Sequence, residues 1–204
     1  MDSTPVALVC LEKDAVALLW NHQGFELVGI IDPAAEDPSD DLPVLGGDDD
    51  WKEIRRGFPG LRLCIAADDP AIRRRLAGHY GLDVLADVIS SNAYLAPGAS
   101  LGPGCLVQRD VTVMTEAAVG TACKLNIGAT LHHDCVTGDY CTLAPGCRLL
   151  GNVRLGDGVL VGAGAIVMPQ LRVGKGAVIG AGAVVTKNVP KGVTVTGVPA
   201  KKVR

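Results

Sequence analysis

A repeat of six residues runs through the second half of the chain and limits how that half can fold. Residues 89–190 divide into 17 consecutive blocks of six, with no insertion between them. The first position of a block is Leu, Ile or Val in 16 blocks, with Thr137 as the exception, and the fifth is Ala, Cys, Val or Leu in all 17. A short and constant period predicts a solenoid, in which each repeat packs on its neighbours.

The length of the repeat predicts the shape of this solenoid. One block suffices for a short strand and a tight turn, so three consecutive blocks would close one triangular coil. We expect positions one and five to point into the coil, and the Gly, Asn and Asp residues between them suit corners with positive φ. Five of the seven cysteines occupy position five, and we interpret them as small buried side chains: Cys105, Cys123, Cys135, Cys141 and Cys147.

The first part of the chain shows a different pattern, in which short apolar segments alternate with helical ones. Three strands and a helix are predicted, near 6–10, 27–32, 61–66 and 14–22. A second helix is expected from Pro70 to Tyr80, because Asp69 can cap it and proline suits its first position. The stretch 34–50 is acidic and loop-rich, with a short helix expected near Trp51. This alternation predicts a small Rossmann-like α/β domain with a parallel sheet.

These patterns divide the chain into an α/β domain at 1–87, the coil at 88–190 and a tail at 191–204. Charge is divided in a similar way. Residues 1–87 carry 8 Lys/Arg and 17 Asp/Glu, a net of −9, whereas residues 88–204 carry 11 and 5, a net of +6. The basic part has no nucleic-acid-binding motif and few aromatic residues. We therefore expect no nucleic acid partner and favour a small polyanion, such as a phosphorylated cofactor.

Composition excludes several other classes of protein. Of the 204 residues, 48% are hydrophobic and 20% are charged, which is enough for a core and argues against disorder. No apolar run reaches the ~18 residues of a membrane span. The start of the sequence lacks the basic region of a signal peptide, and the cysteines show no metal-ligand spacing. We therefore expect a cytoplasmic protein with reduced thiols that does not associate with membranes.

Three sets of residues give the chain a specific resemblance. They are Asn126 with His133–Asp134, Ala144–Pro145–Gly146 with Gly151–Asn152, and the tail Gly197–Lys201. With the α/β domain in front, the whole chain resembles the PglD/NeuD-type sugar acyltransferases of the hexapeptide-repeat family. This resemblance implies a left-handed parallel β-helix, acetyl-CoA as co-substrate without a metal, and an amino-sugar acceptor that is nucleotide-linked. It also implies homotrimers with active sites between neighbouring β-helices.

His133 is the candidate general base. It is the third residue of its block, so it should face outward at a corner, and Asp134 could fix its tautomer. Gly151 lies three blocks further on, hence one coil along at the same corner. Its backbone N–H could stabilise an oxyanion, and the resemblance assigns it that role. The resemblance also suggests that Asn126 positions the substrate.

The binding residues follow from the same resemblance. Pro145, Ala163 and Ala181 are each separated by three blocks and would form a column of small corner residues along which a pantetheine arm could lie. The resemblance places acetyl-CoA contacts at Thr142, Ala163 and Ala181, and the thioester at Gly151. The positive charge of Lys201 could meet the CoA phosphates.

The acceptor side departs from the family pattern. The resemblance places it at Asp32 and at Cys10, Leu11 and Glu12. The family has a glycine-rich loop after the first strand, but here that loop has acids and no glycine. The family also often has a histidine where this chain has Thr142.

Several functions remain open at this stage. Direct N-acetylation of an amino sugar is the leading hypothesis, because no outward Cys or Ser stands beside His133 to carry the acyl group. A sugar O-acetyltransferase of the sialic-acid type would use the same base. A γ-type carbonic anhydrase needs three zinc-binding histidines, and the repeat offers only His132 and His133. A catalytically idle binding module is the remaining alternative.

Overall fold

The computed structural model describes residues 3–32, 34 and 42–203. The chain begins with a parallel sheet of order β3-β2-β1-β4, made of β1 (Thr4–Val9), β2 (Phe25–Ile31), β3 (Val44–Gly46) and β4 (Arg62–Ile65). The helices are α1 (Lys13–Trp20), α2 (Trp51–Gly57) and α3 (Pro70–Tyr80), with short 3-10 turns at Asp48–Asp50 and Leu82–Val84.

The predicted elements of the α/β part are present, and one strand is added. The three predicted strands correspond to β1, β2 and β4, and the predicted helices to α1, α3 and the short α2. Asp69 caps α3 as expected, since its carboxylate accepts a hydrogen bond of 2.7 Å from the Ala71 amide. The added strand, β3, lies in the stretch expected to be loop-rich, of which residues 35–41 fall outside the described part.

The sheet is buried on both faces. Val6 and Leu8 of β1 pack with α1, whereas Ala7 and Val9 point to the opposite face, where α2 and α3 pack. Successive side chains of a strand point to opposite sides, so a strand covered on both sides is apolar throughout. This explains the uninterrupted apolar run that predicted β1.

The second part is a left-handed parallel β-helix, as expected. Its short strands recur once in every block: β5 (Val88–Ile89), β6 (Tyr94–Leu95), β7 (Ser100–Leu101), β8 (Leu106–Val107), β9 (Thr112–Val113), β10 (Ala118–Val119), β11 (Lys124–Leu125), β12 (Thr130–Leu131), β13 (Val136–Thr137), β14 (Thr142–Leu143), β15 (Arg148–Leu149), β16 (Arg154–Leu155), β17 (Leu160–Val161), β18 (Ile166–Val167), β19 (Arg172–Val173), β20 (Val178–Ile179) and β21 (Val184–Val185). From β5 to β18, each pairs with the strand three blocks further on, as Lys124 does with Thr142.

The strands stack into three faces. The first face contains β5, β8, β11, β14, β17 and β20; the second contains β6, β9, β12, β15, β18 and β21; the third contains β7, β10, β13, β16 and β19. We call the turns from first to second face the first corner (126–129 in one coil), those from second to third face the second corner (132–135), and those from third to first face the third corner (138–141). After β21, β22 (Thr194–Thr196) extends the first face, and β23 (Lys201–Lys202) pairs with it in antiparallel orientation.

The interior of the coil is filled by positions one and five. The five position-five cysteines are each at most 1% exposed, which confirms their interpretation as buried side chains. Burial raises the pKa of the Cys147 thiol to about 12. Thr137, the exception at position one, is also buried, and its hydroxyl accepts a hydrogen bond of 3.1 Å from the Gly120 amide.

A buried arginine joins the α/β part to the first face and third corner of the β-helix. Arg73 of α3 is 1% exposed, and its guanidinium donates to five backbone carbonyls and one hydroxyl at 2.6–3.1 Å: those of Ala67, Asp68, Ala122, Tyr140, Cys141 and Thr142. Burial lowers the pKa of this guanidinium. A single side chain therefore satisfies acceptors from both parts of the chain.

We expect Arg73→Met to lower the free energy of unfolding by about 3 kcal/mol or more, because it leaves several buried carbonyls without a donor. Urea unfolding would measure the loss. Arg74→Met is the matched control: the Arg74 side chain is 44% exposed and its ion pair with Asp157 is long, at 3.9 Å. The control should cost less than about 1 kcal/mol. Equal losses in the two variants would contradict this role for Arg73.

Candidate active site

His133 lies at the second corner, where its side chain is 59% exposed. The turn places Asp134 in the left-handed region, with φ of 60°. The Asp134 carboxylate lies 2.7 Å from Nδ1 of the imidazole. A carboxylate accepts a hydrogen bond, so it holds the proton of a neutral imidazole on Nδ1 and leaves the lone pair on Nε2. The corner thus presents an oriented base.

Gly151 lies directly against this base, one coil further along. The Asn152 amide donates to the His133 carbonyl at 3.0 Å, and a Cβ placed on Gly151 would lie 2.6 Å from Nε2 of His133. Only a residue without a side chain leaves room for the imidazole here. Gly151 is buried, and its N–H has no acceptor among the described residues. The corner therefore combines a base and an adjacent amide donor.

The other predicted binding residues lie at the first corner. Ala163 and Ala181 are exposed there, on successive coils with Pro145. Lys201 is brought to the same end of the β-helix as Ala181, because the neighbouring Ala200 amide donates to the Val184 carbonyl at 2.8 Å. Asn126 is also at this corner but is only 6% exposed, and its amide group donates to the Leu143 carbonyl at 3.2 Å.

The first and second corners lie at opposite edges of the second face. Within one chain, the structure therefore brings His133, Asp134 and Gly151 together. It separates them from Asn126, Ala163, Ala181 and Lys201.

The predicted acceptor residues lie at the carboxyl ends of β1 and β2. Glu12 caps α1, because its carboxylate accepts from the amides of Asp14 at 2.9 Å and Ala15 at 3.0 Å. Asp32 accepts from the Leu11 amide at 3.0 Å. Cys10 is half-buried, and burial together with the negative charge of Asp32 raises its pKa to about 11.

Sequence reasoning missed the lysine that links this edge to the β-helix. Lys124 points outward from the first face, yet it is 1% exposed. Its ammonium donates to the Ala66 carbonyl at 2.8 Å and lies 2.9 Å from the Asp68 carboxylate and 3.6 Å from that of Glu12. In the sequence, Lys124 holds the same block position as Leu106, one coil before it, and Thr142, one coil after it. This column was the available signal, because a domain that covers it would bury the lysine.

Thr142 lies in the same contact between the two parts of the chain and is 2% exposed. Its hydroxyl donates to the Asp68 carbonyl at 2.6 Å and accepts from Arg73 at 2.8 Å. Both hydrogen-bonding capacities of the hydroxyl are thus used within the chain. Both Thr142 and Ala163 were predicted to contact acetyl-CoA. Thr142 is buried beside the α/β domain, whereas Ala163 is on the exposed first corner.

Other kinds of site find no support in the described part of the chain. Within residues 3–32, 34 and 42–203, no three His, Cys, Asp or Glu side chains are grouped so as to hold a metal ion. No helix in these ranges is long and apolar enough to cross a membrane.

A groove of about 520 Å³ lies between α1 and the first corner, next to Gln108 and Ile127.

Comparison with known proteins agrees with this architecture. Residues 152–187 match the family model described as bacterial transferase hexapeptide (six repeats). No curated protein matches the sequence. The repeat and the fold define a hexapeptide-repeat transferase.

Solved structures extend the likeness over nearly the whole chain. PerB from Caulobacter crescentus, in complex with CoA and GDP-perosamine, is 30% identical over 97% of this chain and 96% of its own, with a TM-score of 0.86. The acetyltransferase domain of PglB from Neisseria gonorrhoeae FA1090, in complex with acetyl coenzyme A, is 25% identical over 99% and 100%, with a TM-score of 0.91. WeeI from Acinetobacter baumannii AYE is 27% identical over 98% and 100%, with a TM-score of 0.85. The chain belongs to the PglD/NeuD-type sugar acyltransferases, as its motifs predicted.

The raised pKa of Cys10 gives a test of thiol chemistry at the carboxyl end of β1. Alkylation of Cys10 should keep accelerating about tenfold per pH unit up to pH 10, because its thiolate forms only near pH 11. An ordinary exposed thiol levels off above about pH 9. Mass spectrometry after timed alkylation would follow the reaction, and Cys10→Ser should remove this phase. A plateau near pH 9 would show that the thiol is not shielded.

Proposed function

We propose that this acyltransferase transfers the acetyl group of acetyl-CoA to the amine of a sugar, with His133 as general base. The observation that supports this most strongly is the oriented imidazole of His133, with Asp134 on Nδ1 and the α-carbon of Gly151 packed against Nε2. The relatives point to the same chemistry, since the PglB domain is in complex with acetyl coenzyme A and PerB with CoA and GDP-perosamine. A nucleotide-linked amino sugar is the proposed acceptor.

The proposed reaction is a direct attack on the thioester. The sugar nitrogen forms a bond to the acetyl carbon while Nε2 of His133 takes a proton from that nitrogen. The Gly151 N–H stabilises the negative charge that develops on the carbonyl oxygen. The carbon–sulfur bond then breaks, and the imidazolium returns the proton to the departing sulfur. Asp134 stabilises the imidazolium between these steps.

The protonation and burial of the cysteine thiols favour direct transfer over a mechanism with an acyl-enzyme intermediate. Cys10 is protonated at neutral pH, and the other six cysteines are buried. A thiol nucleophile must be an accessible thiolate. Acetyl-CoA and the acceptor would therefore be bound at the same time.

The separation of the two corners gives a reason for the proposed homotrimer. Ala163, Ala181 and Lys201, which would line the acetyl-CoA groove, lie at the opposite edge of the second face from His133. A complete site then needs the second corner of one chain to meet the first corner of another. Three triangular β-helices can satisfy this contact around a closed ring.

The base is tested by CoA release with a panel of amino sugars, both nucleotide-linked and free. His133→Ala should lower the rate at least ~100-fold, as expected for loss of a general base. His132→Ala is the matched control and should stay within about threefold of wild type. If His133→Ala retained more than a tenth of the activity, His133 would not be the base.

Sugar hydroxyl acceptors in the same panel test O-acetylation.

Gly151→Ala tests the position of the imidazole in the same assay. The added Cβ would displace Nε2 of His133, and a displacement near 1 Å can cost roughly 100-fold in rate. The backbone of Gly151 is outside the left-handed region, so alanine fits its conformation. Gly78→Ala, whose Cβ would meet nothing within 4 Å, controls for the added methyl group.

The shared site is tested by mixing two inactive variants. His133→Ala disables the second corner, and Ala163→Trp blocks the first corner. Trimers reassembled from equal amounts of both should recover about a quarter of wild-type activity, since each mixed trimer contains one intact site in three. Light scattering should give the mass of three chains of 21.0 kDa each. A monomer, or no recovery on mixing, would contradict a site shared between chains.

A further inference from the structure

The turn between β1 and α1 has backbone amides that are already bound to carboxylates. The Leu11 amide donates to Asp32, and the amides of Asp14 and Ala15 donate to the two oxygens of Glu12 at 2.9 and 3.0 Å. The first amides of a helix have no partner within the helix, and they form a ready anion site at the positive end of its dipole. Here the chain fills that site with its own side chains.

Glu12 is held in this position from the β-helix side as well. Gln108 donates to its carboxylate at 3.4 Å, and the buried Lys124 ammonium lies 3.6 Å away. The carboxylate is therefore surrounded by two amides, a carboxamide and an ammonium. These are the groups that a phosphate of an incoming acceptor would need.

We propose that Glu12 determines acceptor specificity by closing the N-terminus of α1 to phosphate. This inference rests on the proposed function, in which the acceptor binds at this edge of the sheet. A phosphate and the Glu12 carboxylate cannot occupy the same two amides. Asp32, Asp48 and Asp68 also lie at the carboxyl ends of the strands and add negative charge there. The N-terminal amides of α1 therefore contribute nothing to the binding of any phosphate that the acceptor carries.

The contact of Lys124 predicts what removal of Glu12 would do. Lys124 keeps its bonds to the Ala66 carbonyl at 2.8 Å and to Asp68 at 2.9 Å, so the contact between the two parts of the chain persists. The amides of Asp14 and Ala15 become free, and the ammonium faces the vacated position. Glu12→Ala should therefore create a phosphate site.

Calorimetric titration with GDP and with UDP tests this without any turnover. Glu12→Ala should bind at least one of them tenfold or more tightly than wild type, and the gain should shrink at high salt. Asp14→Asn is the matched control, since it removes one negative charge from the same turn without freeing an amide. It should stay within threefold of wild type. Glu12→Gln, which keeps the length of the side chain but not its charge, should show a smaller gain and decides the matter if the alanine variant does not fold.

A second measurement connects binding to the reaction. The ratio of kcat/KM for a nucleotide-linked amino sugar to that for the methyl glycoside of the same sugar should rise at least tenfold in Glu12→Ala. The proposal is overturned if wild type binds GDP and UDP as tightly as Glu12→Ala does. That result would leave the proposed acetyl transfer intact. By contrast, if CoA were released equally fast when no acceptor is present, the proposed function would be contradicted and the proposal for Glu12 would not.

Discussion

Backbone hydrogen bonds between successive coils hold the candidate site together. The Lys124 amide donates to the Cys141 carbonyl at 2.9 Å, the Thr142 amide donates to the Val159 carbonyl at 2.9 Å, and similar bonds recur along the β-helix. The constant block length keeps equivalent side chains on the same side of successive coils up to β21. The closing coil is two residues shorter, since Val178 pairs with Thr194. The contact between His133 and Gly151 exists because both hold the same place in successive coils. The geometry of this candidate site is thus a product of the repeat itself.

The contact between the two parts of the chain depends on buried cations. Burying a charge is costly unless hydrogen bonds replace its water, and Arg73 and Lys124 have such bonds on every side. Among the third-corner acceptors of Arg73, the carbonyls of Ala122 and Tyr140 receive no backbone hydrogen bond from the described part of the coil, whereas that of Cys141 also accepts from the Lys124 amide. The corners therefore do more than close the coil. They dock the α/β domain with the carboxyl end of β4 next to Asn126, whose amide group lies 3.5 Å from the Asp68 carboxylate.

The sequence predicted the features that depend on period and spacing. The β-helix, its buried cysteines and the stacking of Gly151 on His133 all follow from counting by blocks and by coils of three blocks. The features it did not predict depend on what covers an outward side chain. Nothing in the period shows that Lys124 and Thr142 lie beneath another domain, and β3 is only three residues long. The acids after β1 were visible, but their spacing could not show that Glu12 turns back onto the amides of α1.

The uniform height of the coils also sets a scale along the first corner. Residues 127 and 181 are three coils apart, which corresponds to roughly 14 Å at the usual spacing of strands. Insertion or deletion of a whole coil would change this distance by about 5 Å and leave the pairing register of the other coils unchanged. The number of coils between Asn126 and the end of the β-helix therefore sets the length of the first corner. Under the proposed function, the pantetheine arm of acetyl-CoA would lie along part of this length.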